Sequence, residues 1–575
     1  MNTTTFLVHW RMRKLRNNGG MAIGYHADVR IISMIQVAIL CAAAIFASQQ
    51  GSAVSTTERH ATQIGVDILA QGGNAIDAAV AIHFALAVTY PNAGNIGGGG
   101  FLLYHSPDDG DVFLDFREIA PAAATADMYR GQSQSSTLGW RAVGVPGAVP
   151  GMYQAHQKYG TLQWRDLIDP AYRLAKDGFE PNQSLCDRVQ RYQNTLSQDP
   201  GCNITFFGSQ KMQADEKFRQ AELAHSLQLI SKRGDLAMRN GYIVDEILRL
   251  SATTGVLTAA DFENYQPVWR DVHRFDWRGK EIISASLPSS GGMFLQQSLA
   301  LLEGAPLAVW GFNDPRTIQL IGEASAAAFR DRNHYFGDPN ALQVDISELL
   351  DPQYLRLRRQ QISATSQSKA HVGNAAITRE STETTHFSVV DQWGGAVSCT
   401  TTLNSNFGAK VMAAGIIFNN EMDDFAAQAG KANQFGLVQS AANAIVAGNR
   451  PLSSMAPTIV LIDGKVDAVL GSPGGPVILT TVLQVLLNRY VFNMRPLAAV
   501  SAPRFHRQDL PTYIKYENSR ISIAVRERLR QFNQPLRMVR GLGLVNAIFV
   551  FNDGYQAVSD KRGDGVAQSM LEHKL

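Results

Sequence analysis

The spacing of apolar residues in the first half of the chain predicts helices. Residues 66–88, VDILAQGGNAIDAAVAIHFALAV, are rich in alanine and other apolar residues, and Gly72 and Gly73 divide the stretch into two helices. Residues 218–234, FRQAELAHSLQLISKRG, repeat apolar positions at the helical period. Further helices are expected between residues 162 and 250, so this part of the chain is predicted to be mainly helical.

A different pattern, typical of strands, follows later in the chain. Residues 384–390 and 396–403 are rich in β-branched residues, and residues 391–395, DQWGG, supply a turn between them. Beyond this hairpin, residues 454–475 place short apolar runs between glycines and prolines. Helices followed by strands predict a mixed fold, α/β or α+β.

A polar segment separates these two parts. Residues 361–383, QISATSQSKAHVGNAAITRESTE, contain Ser, Thr, Asn and Gly without a sustained apolar period. This composition is typical of an exposed linker. The main boundary of the chain is therefore expected where the linker meets the threonine-rich hairpin, at Thr384.

The N-terminal region has the pattern of an export signal. Residues 31–47, IISMIQVAILCAAAIFA, are almost entirely apolar, follow several basic residues and precede small residues. We expect residues 1–53 to form a signal peptide region, with cleavage after Ala47 or Ala53, and the protein to be periplasmic or secreted. The alternatives are an uncleaved membrane anchor, in which case the membrane becomes a partner, and a buried helix.

Composition narrows the possible functions. The 575 residues are 45% hydrophobic and 18% charged, which is typical of a well-buried globular protein. A formal net charge of +2 gives no electrostatic basis for nucleic-acid binding. No CxxC or HExxH motif occurs, so no metal centre is predicted. Cys186 and Cys202 could form a disulfide in an exported protein, and the sequence leaves open whether they do.

Two glycine-rich motifs are ambiguous by themselves. Four consecutive glycines at residues 97–100 suggest a phosphate loop, but no GK[ST] follows, and close backbone packing explains them better. PSSGG at residues 288–292 superficially resembles the serine-rich signature of serine–lysine amidases. It lacks the lysine context, and a glycine-rich turn is the simpler interpretation.

The start of the hairpin offers a candidate nucleophile. The chain has no GxSxG elbow, but a threonine at a chain's N-terminus carries an α-amine beside its hydroxyl. Since the pKa of such an amine is about 7.7–8.0, it can accept the hydroxyl proton near neutral pH. Cleavage between Glu383 and Thr384 would create this residue. Without cleavage, the stretch is an ordinary hairpin.

Seven ordered blocks resemble the γ-glutamyltransferase (γ-glutamyltranspeptidase) family, and the resemblance extends from residue 54 to the C-terminus. The blocks are NAGNIGGGGF (92–101), LDFREIAP (114–121), PSSGG (288–292), TTHFSVV to NSNFG (384–408), NNEMDDF (419–425), RPLSSMAPT (450–458) and GSPGG (471–475). The resemblance implies an N-terminal nucleophile hydrolase fold, a four-layer αββα sandwich. It also implies a precursor that cuts itself between Glu383 and Thr384 into a large chain, 54–383, and a small chain, 384–575, which form a heterodimer.

The resemblance assigns roles to individual residues. Thr384 would be the nucleophile of both cleavage and catalysis, with Thr402 hydrogen-bonded to it and Gly474 and Gly475 forming the oxyanion hole. Arg117, Ser453 and Ser454 would bind the α-carboxylate of a γ-glutamyl substrate. Glu421 and Asp424 would bind its ammonium group, with Asn404 bridging nearby. His386 is expected to be structural.

The sequence departs from the family pattern at Phe435, at Pro476 and Val477, and in the segment between Gly408 and Asn419, which is slightly shortened. Phe435 occupies the lid position where relatives often carry a tyrosine, so it cannot donate a hydrogen bond to Asn404. Pro476 and Val477 replace a Ser-Arg pair of many relatives. The first change leaves the preference between hydrolysis and transfer open; the second has no physical explanation in the sequence.

The expected function is that of an exported, self-cleaving γ-glutamyltransferase and hydrolase. Its donors would be glutathione and related γ-glutamyl compounds, and its acceptors water, an amino acid or a dipeptide. No metal or organic cofactor is expected. Two alternatives remain: a related amide hydrolase on the same scaffold, such as a cephalosporin acylase, and an uncleaved protein that binds γ-glutamyl peptides.

Overall fold

The computed structural model describes residues 51–131, 133–209, 211–342, 344–362, 383–426, 430, 432–517, 521–551 and 554–570. The predicted export segment lies outside these residues up to residue 50, and most of the predicted linker, residues 363–382, also lies outside them. The export segment and the linker therefore stay predictions.

The strands make up two large and two small sheets within the described residues. In chain order they are β1 (Ser52–Thr56), β2 (Gly99–Ser106), β3 (Gly110–Asp115), β4 (Val268–Arg270), β5 (His273–Trp277), β6 (Lys280–Ser284), β7 (Thr384–Val390), β8 (Ala396–Thr402), β9 (Met412–Ala413), β10 (Ile416–Ile417), β11 (Thr458–Ile462), β12 (Lys465–Gly471), β13 (Phe505–His506), β14 (Ile514–Glu517), β15 (Leu536–Val539), β16 (Asn546–Phe551), β17 (Gly554–Ser559) and β18 (Val566–Met570).

The α-helices are concentrated before the hairpin. In chain order they are α1 (Arg59–Ala70), α2 (Ala75–Thr89), α3 (Ala148–Tyr159), α4 (Trp164–Asp177), α5 (Gln183–Arg191), α6 (Gln193–Leu196), α7 (Pro200–Phe207), α8 (Ala221–Arg233), α9 (Tyr242–Ser251), α10 (Ala259–Asn264), α11 (Gly291–Leu301), α12 (Leu307–Trp310), α13 (Pro315–Tyr335), α14 (Pro352–Gln361), α15 (Val477–Tyr490), α16 (Pro496–Ser501) and α17 (Ile523–Gln531).

Two antiparallel sheets pack face to face at the centre of the molecule. The first has the order β18-β1-β7-β8-β2-β3-β4, and the second has the order β17-β16-β12-β11-β6-β5. Strand β12 of the second sheet contacts β7 and β8 of the first. Side chains alternate between the two faces of a strand, so Leu102 joins the core on the helical side while Phe101 and Leu103 join the core between the sheets.

Helices cover the outer faces of both sheets. Helices α1 and α2 pack on the first sheet, and α11 and α15 pack on the second. All residues of α2 are buried, which explains why its apolar side chains surround the whole helix instead of forming one stripe. The order helix, sheet, sheet, helix confirms the predicted αββα sandwich.

Local sequence signals correctly predicted several elements. The helix break at Gly72 and Gly73 is confirmed, because α1 ends at Ala70 and α2 begins at Ala75. Asn74 caps α2: its side chain accepts the Asp77 N–H at 3.0 Å, and the Asp77 carboxylate accepts the Asn74 N–H at 3.0 Å. The hairpin of β7 and β8 is confirmed within one residue.

The run of four glycines serves close packing, as predicted. A Cβ atom on Gly98 would meet the carbonyl oxygen of Thr402, and one on Gly100 would lie 2.5 Å from the carbonyl oxygen of Thr400. The glycines thus let β2 approach β8 closely from one side. The position of Thr402 is thereby fixed by the backbone of a distant segment.

Two expectations tied to export concern a disulfide between Cys186 and Cys202 and a helix that could cross a membrane. Cys186, Cys202 and Cys399 are free thiols in this structure, so it contains no bond between Cys186 and Cys202. Within the described part of the chain, no helix combines the length and apolar character needed to cross a membrane.

Candidate active site

The hairpin of β7 and β8 brings two threonine hydroxyls together. In its register Thr384 lies opposite Thr402, and their Oγ1 atoms are 3.4 Å apart. Both residues are buried. Thr402 Oγ1 also accepts the N–H of Asn404 at 2.8 Å, which leaves the single Thr402 proton available to the Thr384 oxygen. Thr384 therefore has a hydrogen-bond partner suited to a nucleophile.

His386, two residues further along β7, has a structural role. Its ring nitrogens bond to Thr400 Oγ1 at 2.8 Å and to Ser388 Oγ at 3.1 Å. Complete burial lowers the pKa of His386 to about 3. The ring is therefore neutral at physiological pH, and its hydrogen bonds are directed away from Thr384.

A glycine turn joins β12 to α15 beside this hairpin. Gly474 has φ 131° and Gly475 has φ 55°, conformations that side-chain-bearing residues rarely adopt. Within the described residues, neither N–H donates to a protein acceptor. Both groups precede the N-terminus of α15, where the helix dipole favours negative charge. This turn can therefore stabilise an oxyanion.

A buried ion-pair cluster forms the polar end of the site. Arg117 Nη1 pairs with Glu421, and Arg117 Nη2 lies 2.6 Å from Asp424 Oδ2. Burial alone would lower the pKa of Arg117, but these carboxylates raise it above its usual value. Burial raises the pKa of Glu421 and Asp424, and the charge of Arg117 opposes this shift. Burial raises the pKa of nearby Glu118 to about 7.

The three charged residues of this cluster are paired with one another. Arg117 pairs directly with both carboxylates, because burial makes an unpaired charge costly. The carboxylates therefore balance the positive charge of Arg117. The assignment of Arg117 to one end of a glutamyl group and of Glu421 and Asp424 to the other stays a prediction.

Two short segments hold Ser453 and Ser454 next to the cluster. Ser453 Oγ accepts the N–H of Met455 at 3.1 Å, and Ser453 N donates to the carbonyl of Pro288 at 2.8 Å. Ser290 Oγ donates to the Ser453 carbonyl at 2.7 Å. The PSSGG motif is only partly the predicted turn: Pro288 lies in a turn, Ser289 forms a bridge with Ser453, and Gly291 and Gly292 begin α11. The motif thus positions the segment of the two serines.

Phe435 closes the pocket from the side of the lid loop. A Cβ atom on Gly475 would lie 3.3 Å from the Phe435 ring, so the ring packs over the glycine turn. Gln434 N donates to Asp423 Oδ2 at 3.2 Å, which fixes the loop. Asn404 Nδ2 donates to the Asn420 carbonyl at 2.9 Å. Asn404 therefore has a backbone partner that does not involve the lid.

One pocket brings together most of the residues singled out by sequence. Gly474 lies one residue away from its lining. The lining residues are Arg117, Arg332, Thr384, Thr402, Asn404, Glu421, Asp424, Phe435, Leu437, Ser453, Ser454, Met455, Gly475, Pro476 and Ile478.

Comparison with known proteins identifies the family. The gamma-glutamyltranspeptidase sequence profile matches residues 61–570. The chain belongs to the γ-glutamyltranspeptidase family. A glutathione hydrolase proenzyme of Pseudomonas aeruginosa is 40% identical over 548 residues, covering 92% of this chain and 97% of that protein.

Solved structures of γ-glutamyltranspeptidases and related proteins agree with the fold. Helicobacter pylori gamma-glutamyltranspeptidase is 35% identical, with a TM-score of 0.52, covering 56% of this chain and 97% of that one. A cephalosporin acylase from Bacillus halodurans has a TM-score of 0.81 at 23% identity, covering 91% of this chain and 97% of that one. The latter likeness concerns the fold alone.

The γ-glutamyltranspeptidase motifs did not reveal every residue of the pocket. Arg332 and Pro476 line it, and Arg332 belongs to none of the seven blocks. Arg332 follows Ala324 and Ala328 on α13 at intervals of four residues, and all three are buried on the same face of the helix. A charged residue on an otherwise buried helical face was the signal in the sequence that could have indicated it.

Proposed function

We propose that this chain is a self-cleaving γ-glutamyltransferase and glutathione hydrolase. The observation that carries the proposal is the pairing of Thr384 with Thr402, 3.4 Å apart, in a pocket that also contains Arg117, Glu421 and Asp424. The site thus contains a hydroxyl nucleophile, donors for an oxyanion and charged groups of both signs. Acyl transfer from a zwitterionic donor requires all three. Relatives named glutathione hydrolase proenzyme support both the substrate and the cleavage.

The first step makes the enzyme. In the uncut chain the Thr384 nitrogen is an amide and cannot act as a base. Thr384 Oγ1 attacks the carbonyl carbon of Glu383, the peptide C–N bond breaks, and water hydrolyses the resulting ester. Asn406 Nδ2 donates to Glu383 Oε1 at 3.2 Å and so restrains the residue before the cut. The products are the Glu383 carboxylate and the free α-amine of Thr384.

The second step uses that amine. It accepts the proton of the Thr384 hydroxyl as the oxygen attacks the γ-carbonyl carbon of the donor. The Gly474 and Gly475 N–H groups bind the oxyanion, and removing one such donor typically costs about 10²–10³ in rate. The amide nitrogen leaves with a proton, and a γ-glutamyl ester remains on Thr384.

The third step releases the glutamyl group. Water attacks the ester to give glutamate, or the amine of an amino acid or dipeptide attacks it to give a new γ-glutamyl amide. The α-ammonium of the donor meets Glu421 and Asp424. The α-carboxylate meets Arg117, Ser453 and Ser454, which line the same pocket. These opposite charges favour a γ-glutamyl group over an uncharged acyl group.

The protein is further proposed to be exported to the periplasm or secreted. The basic, apolar and small-residue pattern of residues 1–53 supports this location. Of the two cleavage positions, Ala53 lies in β1 and pairs with Ser569 and Val390. Cleavage after Ala47 is favoured because it leaves this strand whole.

Intact mass and N-terminal sequencing of the purified protein test the proposal. We expect a small fragment beginning Thr-Thr-His-Phe-Ser, and Thr384→Ala should give one uncut, inactive chain because it lacks the hydroxyl. An uncut wild-type chain with saturable γ-glutamyl peptide binding would contradict the proposal. Arg117→Ala should raise KM for γ-glutamyl substrates severely; an unchanged KM would instead favour a different amide substrate.

A further inference from the structure

The Arg332 side chain is a second buried guanidinium in the pocket. It projects from α13, is 1% exposed and lines the pocket with Thr384 and Ser454. Within the described residues, no carboxylate lies within 4.0 Å of its guanidinium nitrogens. Burial lowers the pKa of Arg332 to about 10, so it keeps its charge at neutral pH. A buried cation without an ion-pair partner is unusual and needs an explanation.

Its hydrogen bonds converge on the serine segment. Arg332 Nε donates to Ser290 Oγ at 3.0 Å, and Nη2 donates to Ser454 Oγ at 3.0 Å. Nη1 donates to Asn333 Oδ1 at 3.1 Å. Since Ser290 Oγ in turn donates to the Ser453 carbonyl at 2.7 Å, one side chain holds both serines of the predicted carboxylate site.

The hydrogen bond between Arg332 and Ser454 can have only one donor. A serine hydroxyl has one proton and two lone pairs. Because the guanidinium can only donate, Ser454 Oγ must accept from it, and its own proton must point elsewhere. Ser454 lines the pocket. An anionic group there would receive that proton.

Charge balance supports the same role. The two terminal nitrogens of Arg117 are already paired with Glu421 and Asp424. The positive charge of Arg117 is therefore largely balanced before any substrate carboxylate arrives. Arg332 has no carboxylate within 4.0 Å among the described residues and interacts with Asp424 only at longer range, so its positive charge is less fully balanced than that of Arg117.

We propose that Arg332 is the positioning residue of the α-carboxylate subsite: it orients the Ser454 hydroxyl toward the substrate carboxylate and supplies the positive charge that Arg117 shares with Glu421 and Asp424. The inference rests on the proposed function, because it assumes a γ-glutamyl donor. It makes Arg332 a determinant of specificity for donors that carry an α-carboxylate.

The test compares Arg332→Met and Arg332→Lys with Arg330→Met as a matched control. Arg330 lies on the same helix, but its side chain is 55% exposed and pairs with Asp509 at 3.0 Å. Two measurements are made: KM and kcat for γ-glutamyl p-nitroanilide, and the inhibition constants of L-glutamate and of L-isoglutamine, in which the α-carboxylate is an amide.

We expect Arg332→Met to raise KM about 10- to 100-fold with little change in kcat, because the Ser454 hydroxyl loses the charged donor that orients it and the subsite loses a positive charge. Its inhibition constant for L-glutamate should rise by a similar factor, while that for L-isoglutamine changes little. Arg332→Lys should fall between wild type and Arg332→Met, since it keeps the charge but not the forked geometry. Arg330→Met should match wild type.

An equal rise in both inhibition constants would overturn the proposal, because a merely structural role does not distinguish the two ligands. If Arg332→Met does not cleave itself, the test uses Arg332→Lys, and a KM of this variant equal to that of wild type contradicts the proposal. If neither variant cleaves, Ser454→Ala decides: an unchanged preference for L-glutamate refutes it. Failure of wild type to release p-nitroaniline would count against the proposed function instead.

Discussion

Three buried carboxyl groups surround the guanidinium of Arg117, and each has a raised pKa. They belong to Glu118, Glu421 and Asp424, and burial is the largest cause for each. One positive charge cannot fully stabilise three buried negative charges. The cluster therefore takes up protons at a higher pH than exposed carboxylates do.

The raised pKa values predict how KM depends on pH. A raised carboxyl pKa means that the group is protonated below that pKa. Glu118 therefore loses its negative charge as the pH falls through about 7, and Glu421 and Asp424 lose theirs at a higher pH than exposed carboxylates do. The attraction for the substrate ammonium should weaken, and KM should rise. Steady-state kinetics with γ-glutamyl p-nitroanilide between about pH 5 and pH 8 measure this effect.

A matched variant identifies the titrating groups. Glu421→Gln cannot titrate at position 421, so it should have a higher KM at neutral pH and a weaker dependence on pH than wild type. A wild-type KM that stays constant on acidification would contradict the assignment of the ammonium to this cluster.

At the scale of elements, the turn between β12 and α15 places two glycines with positive φ beside the nucleophile. Gly475→Ala would place a Cβ 3.3 Å from the Phe435 ring at φ 55°. A left-handed conformation costs a non-glycine residue about 1–2 kcal/mol. We expect a small loss of thermal stability and a fall in kcat of at least about tenfold, because the oxyanion donors shift.

The turn between β11 and β12 provides the control. Gly464 also has a positive φ, of 73°, but a Cβ there has no neighbour within 4 Å. Gly464→Ala should lose a similar amount of stability and keep its kcat. Equal kcat values for Gly475→Ala and Gly464→Ala would show that the Gly475 turn does not contribute to the oxyanion hole. Thermal denaturation and initial rates measure both quantities.

Local elements were predictable from sequence, and the contacts between them were not. The break at Gly72 and Gly73 and the hairpin at Thr384 depend on neighbouring residues only. The pairing of Arg117 with Glu421 joins positions about 300 residues apart, and no local pattern encodes it. The helical pattern could have indicated that Arg332 is buried, but not its bond to Ser454, which lies on another segment. The motif resemblance named most of the polar pocket residues, but not how their charges pair.

At the scale of the whole molecule, both sheets combine strands from the two sides of Glu383. In the first sheet β1 lies between β18 and β7, and β8 lies next to β2. In the second sheet β6 pairs with β11. The two predicted fragments therefore share two hydrophobic cores in place of a separable interface.

This arrangement predicts that the fragments stay together after cleavage. Native size-exclusion chromatography should give one peak for the cut protein, at the volume of uncut Thr384→Ala, and denaturing electrophoresis should separate two fragments. Separation in native buffer would contradict the described sheet order, because β1 and β7 would have to lose their shared hydrogen bonds.

The position of β1 between strands of the later segment also affects the kinetics of assembly. In the continuous chain, β1 and β7 meet by closing a loop, so the rate of folding does not depend on concentration. Once the chain is cut, the same pairing requires two molecules to collide, and it becomes a second-order reaction. Dilution therefore slows the re-forming of the cut protein from separated fragments, whereas the folding of the single-chain precursor is unaffected by dilution.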